Sequence, residues 1–364
     1  MADALKDVYS PEFLNQLGHS IAHHYATFDV SKFIDDTMTD QWESLKLMER
    51  RDQITAALHE QLPANFNETA QILRDISTTI TGFAALCLPN YVAMYGLDDW
   101  QVAMKTLGVL TQTSSAEFAI RPFLVKYPQQ TIAQMTSWSQ STDVDQRRLA
   151  SEGIRPRLPW GIRLKQFVED PTPIFPILAN LITDQSQYVQ KSVANNLNDI
   201  SKDHPQQVID FCQTYWHTSQ TVDWIINRAL RTLFKAGNPA VLALLGYDEQ
   251  DAGELTNIKF TTDSTSVTLN QTSVFNYQLT NASNTDLPLY IGYRVHYVKK
   301  NQQTSAKDFF VKRVNLKSQQ TLDGQFKLAW KQLTTRTLYA GMHHIELLVN
   351  TVPVTDTDVS LLIS

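Results

Sequence analysis

The chain has 364 residues, 43% of them hydrophobic, and a formal net charge of −6, which leaves room for two domains of ordinary size. No run of about 18 apolar residues occurs and no basic segment leads into an apolar one at the start, so neither a membrane span nor a secretory leader is expected. There is no GxGxxG, GxxxxGK[ST] or GxSxG pattern, which argues against a nucleotide cofactor and against serine hydrolase chemistry. Cys87 and Cys212 are isolated in apolar surroundings and read as free thiols of a cytoplasmic protein. His23-His24 and His343-His344 lack HExxH or cysteine partners, so no metal site is expected.

Ser114-Ser115-Ala116-Glu117 has the pattern of a capping box, a serine hydroxyl bonding forward and a glutamate reaching back. A helix is predicted over Val144–Glu152. It runs into Arg147–Gly161 (RRLASEGIRPRLPWG), which holds four arginines, one glutamate and one tryptophan. Trp160, between Pro159 and Gly161, cannot lie inside a regular helix. Ile174, Ile177, Leu178 and Leu181 then follow the i, i+3, i+4, i+7 rule of an amphipathic helix. Val208, Phe211, Cys212 and Tyr215 repeat that spacing 34 residues later. Val189, Val193, Leu197 and Ile200 are answered by Val222, Ile226, Leu230 and Leu233 at an offset of 33. Helix pairs at such a period predict an α-solenoid. Beyond Leu245 the period changes to two, as in Phe275, Tyr277, Leu279, then Leu289 to Tyr297, then Ile345, Leu347, Val349. Polar turn segments separate these runs, and about 110 such residues predict an immunoglobulin-like β-sandwich, on pattern alone. The expected domains are 1–250 and 251–364.

Charge is divided unevenly. Through Gly253 there are 20 Lys and Arg against 29 Asp and Glu, a net −9; from Glu254 onward, 11 against 8, a net +3. Between Arg147 and Lys165 six basic residues face Glu152 alone. Two local basic footprints are therefore expected, one in each domain.

The Arg147–Gly161 run resembles the signature of the HEAT-like DNA alkylation glycosylases, specifically their AlkC branch. Glu117–Leu124 (EFAIRPFL), Ser192–Ile200 (SVANNLNDI) and Trp224–Leu233 (WIINRALRTL) agree with it, in the family's order. Together the four segments span most of residues 1–250. The resemblance implies a DNA glycosylase that removes cationic N-alkylated bases, of the 3-methyladenine and 3-methylcytosine class, from double-stranded DNA without cofactor or metal. It also agrees with the two-domain reading, since some AlkC-type proteins carry an immunoglobulin-like C-terminal domain.

By resemblance, Glu117 and Asp199 match the family's active-site carboxylates. From the residues alone, Glu117 reads as a cap, and Asp199 as either a surface aspartate or a placed one. Near a helix C-terminus a carboxylate opposes the helix dipole, at a cost of roughly 0.3–1 kcal/mol. Trp160 and Phe118 would offer aromatic faces to a cationic base or its sugar, or else fill the core. Arg148, Glu152, Arg155 and Arg157 would contact substrate or DNA, or the arginines would act as structural partners of Glu152. Lys299, Lys300, Lys312 and Arg313 are the expected phosphate contacts of the β-domain. The expected protein is a monomer. Its alternatives are a non-catalytic helical-repeat protein that binds damaged or structured DNA, and a peptide-binding scaffold.

Overall fold

The computed structural model describes residues 5–333 and 336–363. Helices fill the chain from Pro11–His24 to Pro239–Leu244, and among the described residues eight strands follow from Leu255. Helix starts are set by ordinary local chemistry. The Asp143 carboxylate accepts the N–H groups of Asp145 and Gln146, and Asn238 accepts that of Val241, which satisfies donors that a helix start leaves open. Pro128, Pro205 and Pro239 occupy first turns, where a missing N–H costs nothing. Among the described residues no helix is long and apolar enough to cross a membrane. The chain divides into two compact units. One runs to His204 and adds Tyr215–Ala229; the other comprises Pro205–Thr214 and everything from Leu230.

In the first unit, the helices Val144–Glu152, Gln187–Ile200 and Gln220–Ala229 pack side by side in that order. Their apolar faces are those the periodicity predicts, with Leu149, Val189, Val193, Leu197, Val222 and Ile226 fully buried. Ile174, Ile177, Leu178 and Leu181 are buried as well. Polar groups lock the register between the layers. Ser192 Oγ donates to Glu152 Oε2 at 2.6 Å, Asn196 Nδ2 to the Ser151 carbonyl at 2.8 Å, and Asn198 Nδ2 to the Ala229 carbonyl at 2.8 Å. These two asparagines thus face a neighbouring helix and not solvent. The Gln187–Ile200 helix closes at Ile200, so Asp199 lies in its last turn.

The second unit contains a β-sandwich. Its strands are β1 (Leu255–Thr262), β2 (Ser266–Thr268), β3 (Thr272–Asn281), β4 (Leu287–Val298), β5 (Thr304–Leu316), β6 (Thr321–Ala329), β7 (Gly341–Val349) and β8 (Val352–Leu362). One sheet has the order β1-β3-β6 and the other β2-β8-β7-β4-β5. Phe275, Leu279, Leu289, Val295, Ile345 and Leu347 alternate inward and are fully buried. No disulfide staples this core, since both cysteines are free and lie outside it. In its place rings stack in sequence from Phe260 through Phe275, Phe326 and Tyr293 to Phe309, with centroids 4.1–5.7 Å apart, a geometry that adds attraction beyond area burial. The core also holds a tryptophan: Trp330 is fully buried, and its indole N–H donates to Ser273 Oγ at 2.9 Å.

Candidate active site

The site begins with an arginine that touches no carboxylate. Arg121 opens the short helix Arg121–Lys126 and is completely buried. Its Nε donates to the Ile162 carbonyl at 2.7 Å, and its Nη1 to the carbonyls of Gly153 and Arg155, each at 2.9 Å. One planar fork therefore holds both ends of the 153–162 loop. Five fixed donors on a rigid plane suit this task, and a lysine would not reproduce it. Burial, with help from the nearby Arg155 charge, lowers the Arg121 pKa to about 10, so it is still a cation at neutral pH. The loop packs closely. A Cβ on Gly153 would come within 2.6 Å of Ile120, and one on Gly161 within 3.2 Å of the Arg121 side chain.

Between its two anchors the loop turns sharply. Trp160 adopts a left-handed φ of +64°, uncommon for a bulky side chain and a mark of surrounding constraint. Its indole is 67% exposed, which excludes a core-filling role.

From Glu117 a file of alternating charges runs inward. Arg148 donates to Glu117 through a very short contact, and to Ser115 Oγ at 2.6 Å. Its other nitrogen lies 3.7 Å from Glu152. Glu152 in turn accepts from Arg155 at 2.6 Å, Arg155 Nε donates to Asp199 at 2.8 Å, and Lys202 reaches the other Asp199 oxygen at 2.9 Å. Acid and base alternate through six residues from three stretches of the chain, 117, 148–155 and 199–202. Burial alone would lower the Arg148 pKa, yet the charges of Glu117 and Glu152 outweigh it and raise the value. The Tyr188 ring covers the Arg148 guanidinium at 4.9 Å. The cost of Asp199 in a helix's last turn is offset by its two cationic partners.

Two expectations need correction here. No helix starts at Ser114 or Ser115, because the next helix begins at Arg121. The Glu117 carboxylate binds the Ser115 hydroxyl and Arg148, so it is not a capping-box glutamate. The arginine cluster is also not a free basic patch. Arg147 pairs with Asp184, Arg148 with Glu117, Arg155 with Glu152 and Asp199, and Arg157 with Asp203. Those carboxylates arrive mainly from other repeats, beyond any window of sequence that shows only Glu152.

A cleft of about 490 Å³ opens onto this file. Its polar wall is Ser115, Glu117, Arg148, Glu152 and Arg155; Phe83, Leu86, Phe118, Leu158, Pro159 and Trp160 supply the apolar part. Glu117, Phe118, Arg148, Glu152, Arg155 and Trp160 are thus brought together. Asp199, 3% exposed, is not among the lining residues and meets the site through Arg155. Arg157 is engaged with Asp203 through two hydrogen bonds and does not line the cleft.

The four β-domain residues do not share one surface. Lys299 and Lys300 sit on the turn between β4 and β5, whereas Arg313 pairs with Tyr290 far along the same hairpin, a separation of about eight residues or roughly 26 Å. Lys312 and Arg313 are neighbours in a strand and point to opposite faces: the Lys312 ammonium lies over Tyr277 and the Arg313 guanidinium over Phe234.

Sequence reasoning missed Arg121, Ser115 and Tyr188. The signal for Arg121 was present, since an arginine inside an otherwise apolar segment must find buried acceptors. Tyr188 had none, because its partner comes from another helix.

The chain is thus a helical-repeat protein whose cleft couples carboxylates, arginines and an exposed indole, followed by an immunoglobulin-like sandwich. The family model for DNA alkylation repair enzymes matches residues 49–233, and that for the C-terminal Ig-like domain of YhaZ matches residues 256–363. The chain belongs to the DNA alkylation repair enzyme family. It is 38% identical over 350 residues to a Bacillus subtilis (strain 168) protein, uncharacterized protein YhaZ, covering 96% of this chain and 97% of that one. Among solved structures it resembles the Pseudomonas fluorescens alkylpurine DNA glycosylase AlkC bound to DNA containing an abasic site analog, with TM-score 0.79, 34% identity and 99% of each chain covered.

If Arg121 holds the loop, Arg121→Lys should leave at least one of the Gly153, Arg155 and Ile162 carbonyls unpaired, at about 1–3 kcal/mol for a buried one. The expected outcome is a lower urea midpoint together with faster proteolytic cleavage within residues 153–162. An unchanged cleavage rate would show that the loop is held by other contacts.

Proposed function

We propose that the protein is a DNA glycosylase that excises cationic N-alkylated bases of the 3-methyladenine and 3-methylcytosine class from double-stranded DNA. The observation that carries the reading is the Glu117 carboxylate lining a cleft beside an exposed, conformationally fixed tryptophan, in a chain of the alkylation repair family. Residues 1–250 supply the chemistry and residues 251–364 add contacts to the duplex.

An alkylated base that bears a positive charge already has a weakened N-glycosidic bond, so the enzyme need not protonate it. Stabilising the oxocarbenium-like sugar and guiding water to C1′ suffices. Glu117 faces the developing cation. A carboxylate about 4 Å from a unit positive charge gains roughly 4 kcal/mol at an effective dielectric near 20, or about 10³ in rate. Glu152 is the other carboxylate lining the cleft, tied down by Arg155 and Ser192. Asp199 is a positioning residue, and its charge keeps Arg155 directed at Glu152. Trp160 and Phe118 give the cationic base aromatic surface, a contact of roughly 0.5–2 kcal/mol. A neutral base offers neither the labile bond nor that attraction.

The decisive comparison is between two isosteric variants. Glu117→Gln should lower single-turnover base release by about 10³, with the fold and duplex affinity little changed. Asp199→Asn should lose about 10-fold or more, yet less than Glu117→Gln, because it acts through Arg155. Equal activity of Glu117→Gln and wild type would remove the proposed role of that carboxylate.

In the β-domain, the exposed turn bearing Lys299 and Lys300 is the segment we assign to phosphate contact, since Lys312 and Arg313 lie over aromatic rings. The double variant Lys299→Ser/Lys300→Ser should reduce the slope of log affinity against log salt by roughly 0.9 for each phosphate no longer neutralised. An unchanged slope would mean that this turn does not meet DNA.

A further inference from the structure

Two side chains stand out on the apolar side of the cleft. Trp160 and Phe83 are large lining rings left open to solvent, 67% and 38% exposed. Leu86, by contrast, is only 4% exposed, and Phe118 is half-buried. An exposed aromatic ring keeps apolar surface in water, and that surface becomes useful when a flat partner covers it.

Phe83 is presented by a device much like the one that presents Trp160. Gly82, just before it, has a φ of +80°, a conformation that side-chain-bearing residues rarely adopt. The Gly82 N–H donates to the Thr113 carbonyl at 2.8 Å. Thr113 leads directly into Ser114 and Ser115, and the Ser115 hydroxyl bonds the Glu117 carboxylate at 2.7 Å. The Phe83 turn is therefore hydrogen-bonded to the segment that carries Glu117, as the Trp160 loop is fastened by Arg121. Gln16 Nε2 also reaches the Thr79 carbonyl of the same connection. Each of two tethered turns thus projects one ring beside the common polar wall that carries Glu117.

We infer that Phe83 is a specificity-determining residue that, together with Trp160, holds the flat face of a cationic nucleobase in the cleft above Glu117. This rests on the glycosylase reading and adds to it a residue, a ligand group and a basis for selectivity. A phenyl face attracts a cation through its quadrupole, so the ring favours an alkylated, positively charged base over its neutral parent. An abasic sugar has no base for the ring to cover, and its binding should not depend on Phe83.

The test uses the full-length protein and a duplex carrying one 3-methylcytosine, a cationic base of the proposed class, with single-turnover release as the first readout. Phe83→Ala and Phe83→Leu should each slow release by roughly 3- to 30-fold. Phe83→Trp should stay within about threefold of wild type, because it restores an aromatic face. Affinity for the same duplex with an abasic-site analogue should change less than about twofold in all three, and the thermal midpoints should match. Phe83→Leu as active as wild type would overturn the inference, since an aliphatic group would then suffice. An equal loss in release and in abasic-site affinity would overturn it too, because the ring would be touching the backbone. Should wild type itself release no base, the glycosylase reading falls; wild-type release with unaffected variants removes only the role of Phe83.

Discussion

The arrangement of the cleft depends on one buried guanidinium bonded to backbone carbonyls. Arg121 ties Gly153, Arg155 and Ile162 to a single rigid plane, and everything the 153–162 loop presents inherits that anchor. Arg155 leaves the loop toward Glu152 and Asp199, and Trp160 leaves it toward solvent. Moving a guanidinium out of water is costly, and four hydrogen bonds to backbone carbonyls offset that cost. The arrangement therefore serves placement more than stability.

The alternating file from Glu117 to Lys202 follows the same logic. Buried ion pairs contribute little net stability, but removing one partner strands the other as an uncompensated charge. Each member thus fixes its neighbours. Glu117, half-buried at the mouth of the cleft, is held in place by Arg148 and the Ser115 hydroxyl. The exposed indole and the apolar floor complete a cleft in which electrostatic attraction is strengthened by reduced dielectric.

Much of this was legible in the chain. The repeat offset of 33–34 residues identified the stacked helices because burial at a fixed period leaves a direct trace in sequence. Proline and glycine flanking Trp160 announced a non-helical turn, and φ there is left-handed. Period-two alternation located β3, β4 and β7. Pairing across repeats left no such trace. Asp184, Asp199 and Asp203 meet their arginines across 37, 44 and 46 residues, so the local surplus of arginine read as a basic patch when it is a neutralised network. Glu117 looked like a cap because serine followed by glutamate three residues later fits that motif, and only tertiary contact with Arg148 decides otherwise. On β5, clustering in sequence suggested a common surface for Lys312 and Arg313, although strand alternation sends them to opposite faces.

The central claim is that the cleft breaks an N-glycosidic bond to a positively charged base. Its most direct test is to incubate the wild-type protein, without metal or cofactor, with an N-methylated duplex and to identify what is set free. The account predicts free 3-methyladenine, or another methylated base that is cationic only while bonded to its sugar, with abasic sites left in the duplex and unmodified bases retained. Tight binding to the methylated duplex with no base released would contradict it and leave a protein that recognises damage without catalysis.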